Sequence, residues 1–274
     1  MSSLNTISAD KLLRLIGRPD CPALIDVQLD EDFAADPRLV PGAVRRPYDR
    51  VGDWAPEFAG RTAIVICWKG LKLSQGVAAW LRQAGIPADS LEGGAVGWAQ
   101  AALPMVSEAK LPGRDARGRT LWVTRARPKI DRLACPWLIR RFVDPNAIFL
   151  FVNPAEVEGV AQRFGAAAFD IEGEAVTWTH RGELCTFDVM LQEFGLTTPA
   201  LAKLAVIVRG ADTARLELAP EAAGLLAVSL GLSRMYADDS LQLEAALPLY
   251  DALYRWCRDA SDETHGWPPR RAGA

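Results

Sequence analysis

Short apolar runs alternate with stretches of helical period along the first third of the chain, and the clearest change of period falls at Cys67. Ile64-Val65-Ile66 is an apolar β-branched run that reaches this cysteine, a loop with Gly70 follows, and Ser74 opens a helical pattern through Val77, Ala78 and Leu81 that ends before Gly85. That order reads as strand, loop and helix N-terminus. Upstream, Ser8 and Asp10 to Ile16 read as a capped short helix closed by Gly17, and Ala23 to Val27 as the first inner strand. Residues 30–56 are polar and dotted with prolines, with Val40 to Val44 as a short extended piece. Ala88 to Leu91 reads as an edge strand leading into a Gly93-Gly94 turn. Strand alternating with helix argues for an α/β domain with a parallel sheet over residues 1–106.

Residues 107–119 are polar and marked by Pro112, Gly113 and Gly118, which suits an interdomain linker. A second domain over 120–260 opens with the strand Leu121 to Thr124, and Arg125 to Arg132 follow as a loop. Ala134 to Phe142 reads as a helix with Pro136 in its first turn. Ala147 to Val152 is a strand, and residues 157–164, 186–194, 199–209 and most of 219–258 have helical period. This half is therefore a helix-rich α+β domain without an internal repeat, followed by a loose tail over 261–274.

With 274 residues there is room for about two domains, each with its own core. The first residues lack a basic region followed by an apolar run, and the longest uncharged run, Gly93 to Ser107, is too short and broken to span a membrane. The expectation is a cytoplasmic protein with no membrane partner. Five cysteines, odd in number and widely scattered, argue against a disulfide framework and for free thiols in a reducing compartment. Net charge is −3, but it is unevenly spread: residues 109–144 hold 10 basic and 3 acidic side chains, residues 145–274 hold 10 and 18. The basic segment is either an anion site or a partner for the acidic C-terminal surface. Nucleic acid is the weakest reading, because Pro128 and Asp131 interrupt the arginines and no helix-turn-helix pattern accompanies them.

A thiol ending a buried strand beside loop amides and a helix N-terminus sits where negative charge is stabilised, and Lys69 and Lys72 add to this. Cys67 is thus either a reactive thiolate or a buried cysteine finishing a core strand. In the second half, charges gather beside turn residues at Arg125, Arg127, Lys129, Asp131 and Arg132, at His180 to Asp188, and at Arg209 and Asp212. Loops contributing charges in this way form a candidate oxyanion site from Arg125, Arg127, Lys129, Asp131, Arg132, His180, Arg209 and Asp212. His180 with Cys185, Asp188 or Asp212 is a weaker metal possibility, set against a hydrogen-bonded structural histidine and a packed thiol.

Leu24-Ile25-Asp26-Val27, Val40-Pro41-Gly42-Ala43-Val44, the Cys67 loop and Leu91-Glu92-Gly93-Gly94-Ala95-Val96-Gly97-Trp98 stand in the order found in the rhodanese family, which the N-terminal part resembles. The resemblance implies a doubly wound α/β domain in which Cys67 carries a persulfide. The loop Trp68-Lys69-Gly70-Leu71 would then hold the anionic donor, with Lys72 standing where arginine is more usual and Asp26 at the end of the inner strand. Lys129 to Phe142, His180 to Phe187, Ile207 to Asp212 and Ala223 to Leu232 resemble the ChrB chromate-resistance family over roughly 120–260. That resemblance implies chromate or sulfur-oxyanion physiology. Two functions follow as expectations. One is a sulfurtransferase moving sulfur from a small anionic donor such as thiosulfate to a thiol acceptor, with no cofactor beyond the persulfide and with chromate or sulfate as possible ligands of the second half. The other is an oxyanion-responsive sensor without turnover.

Overall fold

In the computed structural model, residues 5–173 and 176–263 are described. The first half contains β1 (Thr6–Ile7), α1 (Ala9–Leu15), β2 (Ala23–Asp26), α2 (Asp30–Ala35), β3 (Arg38–Leu39), β4 (Ala43–Arg45), α3 (Val51–Trp54), β5 (Ala63–Ile66), α4 (Lys72–Gln83), β6 (Ala88–Leu91), α5 (Gly94–Gln100) and β7 (Val106–Ser107). Strands β1, β6, β5, β2 and β4 form one sheet in that spatial order, and every pairing in it is parallel. Side chains on β5 alternate between the two faces, as the pleat requires. Ala63 and Val65 pack with Val77, Ala78 and Leu81 of α4, and Cys67 just past the strand joins that side. Ile64 and Ile66 face the opposite way, into a core with Leu12, Leu91 and Trp98.

The second half contains β8 (Leu121–Arg125), α6 (Asp131–Phe142), β9 (Ile148–Val152), α7 (Val157–Phe164), β10 (Ala167–Ala168), α8 (Thr186–Glu193), α9 (Pro199–Asp212), α10 (Ala222–Met235) and α11 (Asp239–Asp259). Its sheet is small and parallel, in the order β10, β8, β9. The helices dominate, and the fully buried Trp137 of α6 sits against the rings of Phe142, Phe187, Tyr250 and Tyr254.

One hydrophobic cluster runs through both halves, holding Leu12, Ile64 and Trp98 together with Trp122, Trp137, Phe142 and Tyr250. The core on the face of the first sheet opposite α4 is therefore continuous with the core of the second half. Polar contacts cross the same boundary: the Gly42 N–H donates to the Phe142 carbonyl at 2.7 Å, and Arg258 donates to the Arg14 carbonyl at 3.2 Å. The stretch between the halves is tied down as well. Ser107 pairs with Arg38 in the antiparallel β3–β7 ribbon, Lys110 bonds Glu193 at 2.9 Å, and Arg114 bridges to Thr120.

Several local features depart from the sequence expectation. Strand β6 is not an edge, because the two-residue β1 pairs with it on its outer side. Within the polar residues 30–56 the structure adds α2 and α3 to the extended piece, which forms β4. Pro136 is not in the first turn of its helix: α6 starts at Asp131, where Arg132 and Leu133 donate to the carbonyls of Lys129 and Ile130 at 3.0 Å and close a turn ahead of the proline. The expected tail over 261–274 lies outside the described residues from 264 onward. Among the described residues no helix is long and apolar enough to cross a membrane.

Candidate functional sites

Cys67 follows the last residue of β5 and is buried, with its thiol 3.2 Å from the Ser74 hydroxyl on α4. Ser74 in turn donates to the Leu71 carbonyl at 3.2 Å. The loop Trp68-Lys69-Gly70-Leu71 turns the chain from β5 into α4, and it is clamped by the turn ahead of α5. Ala95 and Val96 donate to the carbonyls of Cys67 and Trp68 at 3.0 Å. Gly70 and Gly94 meet back to back there, each with positive φ, and a Cβ on Gly94 would stand 2.2 Å from the Cys67 carbonyl oxygen. Only glycine fits both positions. Among the described residues, the N–H groups of Trp68, Lys69, Gly70 and Leu71 donate to no protein acceptor. Lys69 and Lys72 are exposed, and among the described residues they make no ion pair. The loop that follows the thiol therefore carries acceptor-free donors and two exposed cations, a composition suited to an anion.

Asp26 lies in the strand next to β5, in register with Ile66, and is buried. Its carboxylate accepts from the Gln28 backbone at 3.0 Å and from the Gln28 amide at 2.7 Å. Burial pushes its pKa up despite those two bonds. It is held by Gln28 rather than by the cysteine.

The second polar centre gathers residues from four places in the chain. His180 Nε2 is 3.2 Å from Asp212 Oδ2, 3.4 Å from Asp170 Oδ1 and 3.5 Å from Asp131 Oδ2. Asp131 opens α6 and is fully buried; the Thr186 and Phe187 amides at the start of α8 donate to it at 2.6 and 3.4 Å. Asp170 accepts from the Thr186 hydroxyl at 2.9 Å and from Arg125 and Arg132, both at 3.2 Å. Asp212 closes α9 and accepts from the Asp131 N–H at 3.4 Å. Two of these carboxylates sit at or beside positive-φ backbone. Ile130, the residue before Asp131, has φ 39°, and Asp170 itself has φ 52°.

Burial pushes the Asp131 carboxyl up to about 7, with Asp212 and Asp170 adding to the rise. The carboxylates gathered around it, Asp131 first and then Asp170 and Asp212, raise His180 to about 12. Asp170 is driven up by burial, yet His180, Thr186 and the two arginines bring it below the ordinary carboxylate value. The centre thus concentrates negative charge and holds positive charge at its middle.

The structure brings together Arg125, Asp131, Arg132, His180 and Asp212 from the sequence-derived set, and it adds Asp170. Other members go elsewhere. Arg127 donates to the carbonyls of Ser233 and Tyr236, Lys129 is exposed without an ion pair among the described residues, and Arg209 pairs with Asp188 at 3.0 Å. Cys185 is fully buried, and burial raises its thiol far above the ordinary value. Its own N–H donates to Asp188, so neither residue belongs to the histidine centre. Most of the basic segment is paired internally: Arg125 and Arg132 with Asp170, Arg140 with Glu244, Arg141 with Asp251 and Lys110 with Glu193.

Comparison with known proteins matches residues 122–257 to the family model described as ChrB, C-terminal domain. Protein ChrB of Cupriavidus metallidurans is 38% identical over 149 residues, which cover 53% of this chain. The chain spans 43% of the length of that relative. Among solved structures, a rhodanese-like domain protein from Staphylococcus aureus is 27% identical, covering 35% of this chain and 91% of its own, with a TM-score of 0.32. A thiosulfate sulfurtransferase from Pseudomonas aeruginosa is 23% identical, covering 38% and 19%, with a TM-score of 0.34. Residues 122–257 thus match the ChrB C-terminal domain, and they follow a part built on a parallel sheet.

Proposed function

We propose that the protein is a sulfurtransferase that carries sulfane sulfur as a persulfide on Cys67, coupled to a ChrB-type domain acting in oxyanion stress. The observation that carries this reading is the Cys67 loop itself. Four N–H groups without acceptors among the described residues, and two exposed lysines without ion pairs among them, lie between the thiol and the second residue of a 12-residue helix. The Cys67 thiolate would attack the outer sulfur of a donor such as thiosulfate. The new S–S bond forms as the donor's own S–S bond breaks, and sulfite leaves with the electron pair. A thiolate or cyanide then takes the outer sulfur and returns the Cys67 thiolate. The free loop amides and the helix N-terminus would stabilise the anionic charge in both steps.

Thiocyanate formation from thiosulfate and cyanide, measured for wild type and Cys67→Ser, tests the reading, together with intact mass after donor treatment. Turnover and a gain of one sulfur atom, both lost in Cys67→Ser, are expected. Absence of both, with thiosulfate and with other sulfane donors, would overturn it.

A further inference from the structure

We infer that Asp131, Asp170 and His180, with Asp212 beside them, form a binding site for one divalent first-row cation. The donor atoms of Asp131, Asp170 and His180 all lie within 4.8 Å of one another. The spacing is informative. Nε2 stands 3.2 to 3.5 Å from three carboxylate oxygens, longer than charge-assisted N–H···O bonds of roughly 2.7–2.9 Å. One imidazole nitrogen carries one hydrogen and cannot serve three acceptors converging on it. Ligand atoms bound to a metal at roughly 2.1 Å stand roughly 3.0 to 3.4 Å apart in octahedral and tetrahedral geometry. The two shorter separations, 3.2 and 3.4 Å, match the edges of such a polyhedron and the third, 3.5 Å, lies just beyond, so the four groups converge closely enough to share one cation.

The surroundings are those of ligands held in place. Asp131 is oriented by the Thr186 and Phe187 amides, and Asp170 by the Thr186 hydroxyl, Arg125 and Arg132. Outer partners of this kind fix ligand direction in metal sites. Access exists as well. The His180 side chain is 42% exposed, while Asp131 is fully buried, so the centre is open on the histidine side. A cleft of about 1090 Å³ lies alongside, with Arg125, Ile171 and Trp178 in its wall. One nitrogen and several carboxylate oxygens suit Mn(II) or Zn(II) better than a thiol-seeking ion, and the buried Cys185 is outside the group.

The test uses the full chain stripped with chelator and titrated with Mn(II), following loss of the free-ion EPR signal, with Zn(II) as competitor. Wild type and Cys67→Ser should each bind one equivalent, and Zn(II) should displace it. His180→Gln alters a half-exposed side chain, and Asp170→Asn keeps a residue that tolerates positive φ. Both should lose at least tenfold in affinity while retaining their far-UV dichroism. If Asp170→Asn fails to fold, His180→Gln decides alone. No binding of either metal by wild type, or binding by His180→Gln equal to wild type, would overturn the assignment.

Discussion

The ring of Phe142 occupies the place where a side chain on Gly17 would have to go. A Cβ there would stand 2.3 Å from the ring's Cζ, and Gly17 has φ 82°. Gly17 ends the first helix of the N-terminal half, and Phe142 ends α6 in the other half, so this contact is part of one core shared between them. Gly17→Ala combines left-handed strain with overpacking, and about 2 to 4 kcal/mol of destabilisation is expected. Calorimetry should show one transition, displaced downward by roughly 5 to 10 °C. Two separate transitions, of which only one moves, would contradict the shared core.

Asp251 of α11 holds α6 through two side chains at once. Its carboxylate receives Arg141 at 2.8 and 2.9 Å and the Trp137 indole N–H at 2.8 Å. Both partners of the ion pair are largely shielded from water, so removing one leaves a charge uncompensated. Asp251→Ala should cost about 3 kcal/mol in urea unfolding. The double variant with Arg141→Met should recover part of this loss, because no orphan cation remains.

The Cys67 loop was legible because its signals are contiguous. A β-branched run, a cysteine, Gly70 and a helical pattern lie within one short segment, and the Gly93-Gly94 clamp is a motif of its own. The histidine centre was legible only in part. Asp131, His180 and Asp212 each stand beside other charges, but Asp170 sits between Phe169 and Ile171 in a stretch with no periodic or turn signal. What places it is a positive φ at a non-glycine residue, held by tertiary contacts with Arg125, Arg132 and Thr186. Strand β1 was missed for a different reason: two residues, Thr6 and Ile7, cannot display a period of two. The early start of α6 was hidden because Ile130 turns the chain at φ 39°, a conformation that no local propensity of isoleucine suggests.

Gly94 connects that legible motif to activity. Its missing side chain lets the α5 turn approach the Cys67 carbonyl, the Gly70 N–H and the Trp68 carbonyl, to which a Cβ would come within 2.2, 2.4 and 2.8 Å. Gly94→Ala must push the thiol loop away from the turn. Displacement on this scale in a positioned site costs roughly 100-fold in rate. Thiosulfate-dependent turnover should fall by about that factor if the Cys67 reading holds. Asp251→Ala, tested below its own melting range, should leave the rate near wild type, which separates loop geometry from general destabilisation.

Asp115 supplies a pH signature for the segment joining the halves. Its carboxylate accepts from the Arg119 side chain and from the Arg117 and Arg119 amides, all at 2.9 Å. The Arg119 side-chain bond, then the backbone bonds, lower its pKa from the ordinary 3.8 to about 2. A carboxyl whose pKa is lower folded than unfolded stabilises the fold while ionised. The contribution is therefore present above about pH 4 and fades as pH falls through 2. Asp115→Asn removes it, so the difference in Tm between wild type and variant should be constant at neutral pH and shrink below pH 4. A difference that instead grew on acidification would mean that the turn over 115–119 is held by something other than the charged carboxylate.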